Sequence, residues 1–367
     1  MNTFPTWLEI DLSAVRSNSA QILKETGTAL MAIVKGDAYG HGAVEVSRTA
    51  LAGGASWLGV ARYNEARALR QAGIRVPILV LGMVTPEEVD EAIAAQVTLT
   101  LHSPESLQLF SARALAAGQA LRVHLKVDTG MGRLGVFAEE TLPFARQALA
   151  AGGLEIDGIF SHLAAAEEPD NPFNNLQTRR FQSALQSLDQ AGLHPRWVHL
   201  ANSAAAFYLA ETRHNLVRVG NVVLGLRIRI DQPLPAHYQA ALTWKASLAA
   251  CRRLPAGWGV GYGPAYITAR DEWIGVVPVG YGDGLRRAPG NQVLIGGEKL
   301  PVLGRLCLDQ CMVKLPRPYA PGEEVVIIGE QGDQSIWVHD LATLYQTSQV
   351  DISTHLHARL PRVFTGG

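Results

Sequence analysis

Lys35 ends the apolar run MAIVK, and a lysine drawn into an apolar mouth loses proton affinity, which suits it to forming a Schiff base. Position alone favours the plainer reading, a lysine whose stem covers a rim while its ammonium stays in water. Arg133 follows Asp128-Thr129-Gly130-Met131-Gly132, where a guanidinium could clamp a carboxylate through two parallel hydrogen bonds, or simply flank a surface turn. Arg218 lies inside LVRVG, and an unpaired cation is costly to bury, so it demands either an acidic partner or a bound group. His162 reads as a hydrogen-bonded core residue or as an acid-base group. Asn202-Ser203, Gly220 and the backbone of Asn221 have the types that cradle phosphate. A lysine beside such a cradle points to pyridoxal phosphate. Two tyrosines, in Gly261-Tyr262-Gly263 and Gly280-Tyr281-Gly282-Asp283-Gly284, are flanked by glycines that permit close backbone approach; aromatic residues at ordinary β turns have the same pattern.

These residues share a position. Short apolar runs at 31–35, 57–61, 77–82, 97–102, 121–128, 158–163, 197–202 and 215–219 alternate with longer amphipathic stretches, and most of the candidates fall at or just beyond the ends of these runs. Thr85-Pro86-Glu87-Glu88 and Ser103-Pro104-Glu105 supply helix starts between them. Eight strand-helix units predict an α/β fold, a (β/α)8 barrel with its site at the C-terminal strand ends. No GxGxxG follows the first strand, as a dinucleotide-binding sheet would require. After a Pro-bearing connector, Asp231 to Pro235, the runs WIGVVPVG, QVLIGGEKLPVLG and EEVVIIGE carry Gly or Pro turns and predict a mostly antiparallel β domain. The division expected is a barrel over 1–235 and a β domain over 236–367, with an extra strand near 7–11 free to join either.

Composition fits this organisation. At roughly 150 residues per domain, 367 residues allow about two domains. The formal net charge of −1, from 32 basic and 33 acidic residues, leaves no surplus for nucleic acid. Three cysteines argue against a disulfide framework and for a reducing compartment. Cys307 and Cys311 have no second pair, so no metal is expected. No apolar run approaches the ~18 residues of a membrane span, and the N-terminus lacks a secretory signal, so a cytoplasmic protein is expected.

Seven segments in order, Ala32 to Gly42 around Lys35, Lys126 to Gly135, His162, His199 to Ser203, Gly261 to Gly263, Gly280 to Gly284 and Gly304 to Gln310, resemble those of the bacterial alanine racemases, fold type III pyridoxal-phosphate enzymes. The resemblance implies a homodimer with shared sites that interconverts L- and D-alanine, supplying D-alanine for peptidoglycan. It implies that Lys35 holds the cofactor as a Schiff base and serves one face of the α-carbon, while Tyr262 of the partner subunit serves the other. His162 and Arg218 would support that tyrosine, and Arg218 would face the pyridine nitrogen and limit side reactions. Tyr39, Asn202, Ser203, Gly220 and Asn221 would bind the cofactor; Arg133, Tyr281 and the backbone of Leu308 would receive the substrate carboxylate. Lys126 matches a position carbamylated in some members.

The sequence departs from the family's commonest pattern at Leu308 (usually Met), Val219 (Pro), Leu224 (Tyr) and Pro264 (Arg), and His357 to Phe364 lacks a Tyr that some members turn toward the phosphate. These departures bear on substrate range, leaving serine or a wider set of amino acids open. Three other classes compete. A single-barrel pyridoxal-phosphate carrier has no β domain, a same-fold decarboxylase sets an acid against the pyridine nitrogen, and a barrel glycoside hydrolase needs a carboxylate pair where only Asp128 qualifies.

Overall fold

Runs of Val, Ile and Leu bounded by turn residues form buried parallel strands because helices cover their outer face and packed side chains fill the inner one. The computed structural model describes residues 4–367. It divides into two compact units, one of Val15–Ala38 and Ala43–Val223, the other of the stretch up to Ala14, Tyr39–Gly42 and Leu224–Gly367.

The first unit is a nearly closed barrel of eight parallel strands. Around the sheet they run Leu216–Val219, Ala29–Ile33, Trp57–Val60, Ile78–Val80, Thr98–Leu101, Leu121–Asp128, Leu154–Phe160 and Trp197–His199. The seam between the first and last of these is stitched sparingly. Arg218 N–H donates to Ala201 O at 3.1 Å and Asn215 N–H to Val198 O at 3.4 Å. The Asn215 side chain adds two more bonds, accepting from Val198 N–H at 2.8 Å and donating to Arg196 O at 2.8 Å.

Counted in chain order, six of the eight strands end one to three residues earlier than the apolar pattern predicts. The first stops at Ile33, so that Lys35 opens a short helical turn, Lys35–Gly40, instead of ending the strand. The sixth stops at Phe160 and the seventh at His199. The carbonyls of Ser161, His199 and Leu200 all accept from the Arg218 guanidinium, which draws this backbone out of regular strand geometry.

The second unit is built on a ten-stranded, mostly antiparallel sheet. Its hairpin Gln292–Ile295 to Glu298–Leu303 turns through Gly296 and Gly297 at φ 59° and 78°, the left-handed pair that suits a two-residue hairpin. The strand Thr6–Asp11 lies inside this sheet, antiparallel to Leu242–Ser247 with Leu8 opposite Trp244, and parallel to Arg362–Thr365 with Leu8 opposite Arg362. Trp244 Nε1–H donates to Thr6 Oγ1 at 3.0 Å across the pairing.

Thr85 caps the helix Pro86–Ala94 as its sequence predicts. Its Oγ1 accepts from Glu88 N–H at 3.3 Å, while Glu88 Oε2 accepts from Thr85 N–H at 2.9 Å. Thr85→Ala removes one half of this reciprocal cap and is expected to destabilise the barrel by about 1 kcal/mol, read as a lowered urea midpoint.

Candidate functional site

Arg218 organises the strand-end layer of the barrel. It is 4% exposed, and no carboxylate meets it among the described residues. Its Nη1 donates to His199 O at 2.9 Å and to His199 Nδ1 at 3.1 Å. Its Nη2 donates to Ser161 O at 2.8 Å, Leu200 O at 3.1 Å and His162 Nδ1 at 3.1 Å. Nε–H alone has no protein acceptor among the described residues. Burial, and then the Arg133 charge, pull the guanidinium down to about 9. The acidic partner that a buried arginine leads one to expect is replaced by carbonyl dipoles and imidazoles.

Arginine only donates, so His162 Nδ1 must accept, and its proton sits on Nε2. Burial holds His162 neutral, reinforced by Arg218, Lys126, Arg133 and Lys35, and brings its pKa down to about 2. Lys126 lies in the same cationic layer, with Nζ 4.5 Å from the centre of the Phe160 ring. Burial first, and then Arg218 and Arg133, push its ammonium well below the usual lysine range.

Lys35 is partly buried, and burial followed by Arg133 lowers its pKa against the opposing pull of Glu65. Glu65 also pins the backbone here. Its Oε1 accepts from Gly36 N–H at 2.6 Å, and its Oε2 from Ala61 and Arg62 N–H at 2.8 and 2.9 Å. The turn that follows is left-handed, with φ of 63°, 55°, 51°, 53° and 86° from Gly36 to Gly40. Asp37, Ala38 and Tyr39 carry side chains there, at roughly 1–2 kcal/mol each, a conformation that recurs at functional sites. Tyr39 is buried.

The Arg133 loop is tied down by Asp128. Its Oδ1 accepts from Gly130, Met131 and Gly132 N–H at 2.9, 2.9 and 3.2 Å, and its Oδ2 from Arg133 N–H at 3.1 Å. Arg180 Nη1–H donates to Thr129 O at 2.9 Å, and Gln177 Nε2–H reaches both Thr129 Oγ1 at 3.2 Å and His162 O at 3.0 Å. The Arg133 side chain stays exposed, while its backbone is held. With both oxygens engaged by backbone, Asp128 is a loop anchor, which counts against the hydrolase alternative.

At the seventh and eighth strand ends, Ser203 Oγ accepts from Gly220 N–H at 3.1 Å, bringing those two groups together at the start of a short helix, Ser203–Tyr208. Asn202 caps that helix, accepting from Ala205 N–H at 3.0 Å and donating to Leu163 O at 3.4 Å. Asn221 opens a 3-10 turn, Asn221–Leu224.

The remaining candidates belong to the sheet unit. Tyr262 sits at the tip of a hairpin of Gly259–Val260 and Tyr266–Ile267 and is 66% exposed. Its flanking glycines have φ of 75° and 66°, and a Cβ on Gly261 would lie 3.0 Å from Met312 Cε. Tyr281 is exposed beneath Arg287, whose Cζ stands 4.0 Å from the ring centre. Tyr281 N–H donates to Cys307 O and Gly282 N–H to Leu308 O, which sets Tyr281 beside Leu308. Leu308 is 49% exposed. Arg359 clamps the same corner, with Nε 2.7 Å from Asp283 Oδ1 and Nη1 2.8 Å from Asp309 Oδ1.

Several contributors carry no sequence signal. Glu65, Gln177 and Arg180 act on backbone groups distant in the chain, and His124 meets His199 from a different strand at 2.8 Å. His199 was visible only as part of a motif.

Residues 10–228 match the family model of the alanine racemase N-terminal domain, and residues 241–364 that of its C-terminal domain. The alanine racemase of Symbiobacterium thermophilum is 42% identical, over 99% of this chain and 97% of that protein. Alanine racemase 1 of Bacillus subtilis is 41% identical, over 98% and 92%. Among solved structures, the alanine racemase of D-cycloserine-producing Streptomyces lavendulae superposes with a TM-score of 0.94 at 37% identity, over 100% of this chain and 98% of that one. The Bacillus anthracis alanine racemase with bound L-Ala-P gives 0.93 at 35%, over 100% and 97%.

Asp128 offers a direct check of the anchored loop. Burial would raise its carboxyl, but the N–H groups of Gly130, Gly132, Arg133 and Met131 outweigh burial and hold it below the usual range. A lowered folded pKa contributes stability above the unfolded value, which is lost as pH falls through the folded one. Asp128→Asn is expected to lower stability by about 1 kcal/mol at neutral pH, a figure reduced from the charged hydrogen-bond range because the loop is partly exposed. That gap, measured as urea midpoints of wild type and variant, should close as pH falls below about 4.

Proposed function

Because the chain belongs to the alanine racemase family, a family of isomerases, we infer that it interconverts L- and D-alanine with pyridoxal phosphate as its cofactor. The observation that carries this reading is Arg218, a buried guanidinium with its Nε–H unengaged and no acid beside it. Such a donor suits an unprotonated ring nitrogen. It also argues against a decarboxylase of this fold, which sets an acid there. Pyridoxal phosphate, when bound, supplies the electron sink that makes an α-proton removable, and a sink facing arginine is moderated so that side reactions are suppressed.

The chain's own residues would supply the rest. Lys35, with its lowered proton affinity, would hold the cofactor through its amine and then carry the proton on one face of the α-carbon. Tyr262 of the partner subunit would carry the proton on the opposite face, as racemisation requires. His162, neutral and locked by Arg218 with its proton on Nε2, would support that phenol. Tyr39, Asn202, Ser203, Gly220 and Asn221 would bind the cofactor, and the adjacent Ser203 hydroxyl and Gly220 N–H fit a phosphate. Arg133 and Tyr281 would take the substrate carboxylate with the N–H of Leu308, which has no protein acceptor among the described residues.

The sheet unit's surface suits a second copy of the chain. Trp258, Tyr262 and Ile267 on one hairpin, together with Tyr281 and Leu308, are large apolar groups left exposed, the pattern of a covered face. A cytoplasmic setting fits cysteines that are all free and a fold in which no described helix is long and apolar enough to cross a membrane. Supply of D-alanine for peptidoglycan completes the reading.

Two experiments test it. Purified protein should absorb in the visible through its cofactor and should abolish the circular dichroism of L-alanine over time; a colourless, inert protein overturns the reading. Lys35→Ala and Tyr262→Phe should each lose most activity. Mixing the two under conditions of subunit exchange should restore about a quarter of wild-type sites, since half of the symmetric dimers become mixed and each regains one of two sites. No recovery on mixing would place both residues in one subunit's site.

Lys126 is proposed to be carbamylated. A buried amine with lowered proton affinity stays nucleophilic toward CO2, and the resulting anion would offset Arg133 and Arg218. In [13C]bicarbonate, the protein should show a carbamate carbonyl resonance that is absent from Lys126→Ala.

A further inference from the structure

Behind Arg218 lies a chain of polar groups that none of the assignments above uses. His199 Nδ1 accepts from Arg218 Nη1 at 3.1 Å, and His199 Nε2 lies 2.8 Å from His124 Nδ1. His124 Nε2 has no hydrogen-bond partner and stands 3.9 Å from Asp157 Oδ2. Both imidazoles are fully buried. Because arginine has no acceptor, one guanidinium dictates every proton in the series. His199 Nδ1 is bare, so its proton is on Nε2 and is given to His124 Nδ1, leaving the His124 proton on Nε2, toward the carboxylate.

The barrel is shaped to hold these rings. Phe160 stacks flat on His199, with centroids 4.8 Å apart and planes at 3°, and Trp57 leans over His124 at 5.0 Å. Gly158 leaves space for the His124 ring, since a Cβ there would lie 2.7 Å from three of its atoms. Four of the eight strands contribute: His124, Asp157, His199 and Arg218 come from the fifth, sixth, seventh and eighth in chain order. Arg122 and Arg196 act on Asp157 from its own side of the barrel.

We propose that His199, His124 and Asp157 are positioning residues for Arg218: a one-directional hydrogen-bond chain through the two imidazoles fixes the guanidinium from behind and ends facing Asp157, a remote carboxylate countercharge. The chain does in two imidazole steps what a direct ion pair would do in one, and so leaves the cofactor-facing side of Arg218 free of acid. This rests on the racemase reading for its catalytic consequence, though not for the chain itself.

The test has two arms. In full-length protein labelled with [15N]histidine, two residues, assigned from the spectra of His124→Phe and His199→Asn, should show a bare Nδ1 and a protonated Nε2 that do not change from about pH 6 to 9, the range in which ordinary histidines titrate. A His199 that titrates in that range, or carries its proton on Nδ1, overturns the proposal. In the kinetic arm, His124→Phe keeps the ring volume but removes the acceptor, and kcat should fall about tenfold, the effect of one lost hydrogen bond in the transition state. KM for alanine should stay within about twofold, because Arg133 and Leu308 are untouched. Should that variant not fold, Asp157→Asn at the chain's end carries the arm, with a kcat loss of about threefold, as expected for a screened countercharge. A lowered melting temperature with unchanged kcat makes the residues merely structural and overturns the proposal. Failure of the racemase reading looks different: wild type is inert toward alanine while the 15N pattern holds.

Discussion

A buried guanidinium sits in the wall of the barrel with no carboxylate against it, and much of the surrounding structure accommodates that fact. Burying a cation is tolerable only if other groups replace its water. Here three backbone carbonyls and two imidazoles do so. The carbonyls come from Ser161, His199 and Leu200, at or just past the ends of the sixth and seventh strands, which is why those strands stop where they do. The sparse seam of the barrel lies beside the same residue, with Arg218 N–H donating to Ala201.

The same cation, together with Arg133, shapes the electrostatics of the layer. Lys35, Lys126 and His162 all lie in a field of positive charge inside an apolar wall, and each is biased toward its neutral form by burial first and by neighbouring cations second. Neutral amines and a neutral imidazole are nucleophiles and proton acceptors, whereas their protonated forms are neither. Replacing Arg218 with an acid would therefore do more than change one contact. It would also take away a positive charge that biases both Lys126 and His162 toward their neutral forms.

How much of this could be read from residues alone depends on whether the determinant was local. The eight barrel runs and the Thr85 cap are legible because periodicity and capping are properties of adjacent residues. Lys35, Arg133, Ser203 and Tyr262 were legible from glycine-rich or strand-end settings and from the family likeness. The extra strand near 7–11 was visible as a strand, but its partners, Leu242–Ser247 and Arg362–Thr365, were not, since pairing over hundreds of residues leaves no trace in either segment. The left-handed turn after Lys35 was hidden for a different reason: Asp37, Ala38 and Tyr39 have no intrinsic preference for positive φ, and local propensity argues against what the surrounding structure imposes. His124 and Gly158 looked like ordinary strand residues, because each matters only through the other.

The strand Thr6–Asp11 also orders events in time. It is synthesised before both of its neighbours, more than 230 residues ahead of Leu242–Ser247 and some 350 ahead of Arg362–Thr365. The barrel runs are complete by Val219 and can collapse while synthesis continues, in the manner of domains that fold as they emerge. The large sheet cannot. Even after Leu242–Ser247 has paired with one side of the strand Thr6–Asp11, its other side must wait with backbone donors and acceptors unpaired, an edge open to the wrong partner, until Arg362–Thr365 closes beside it.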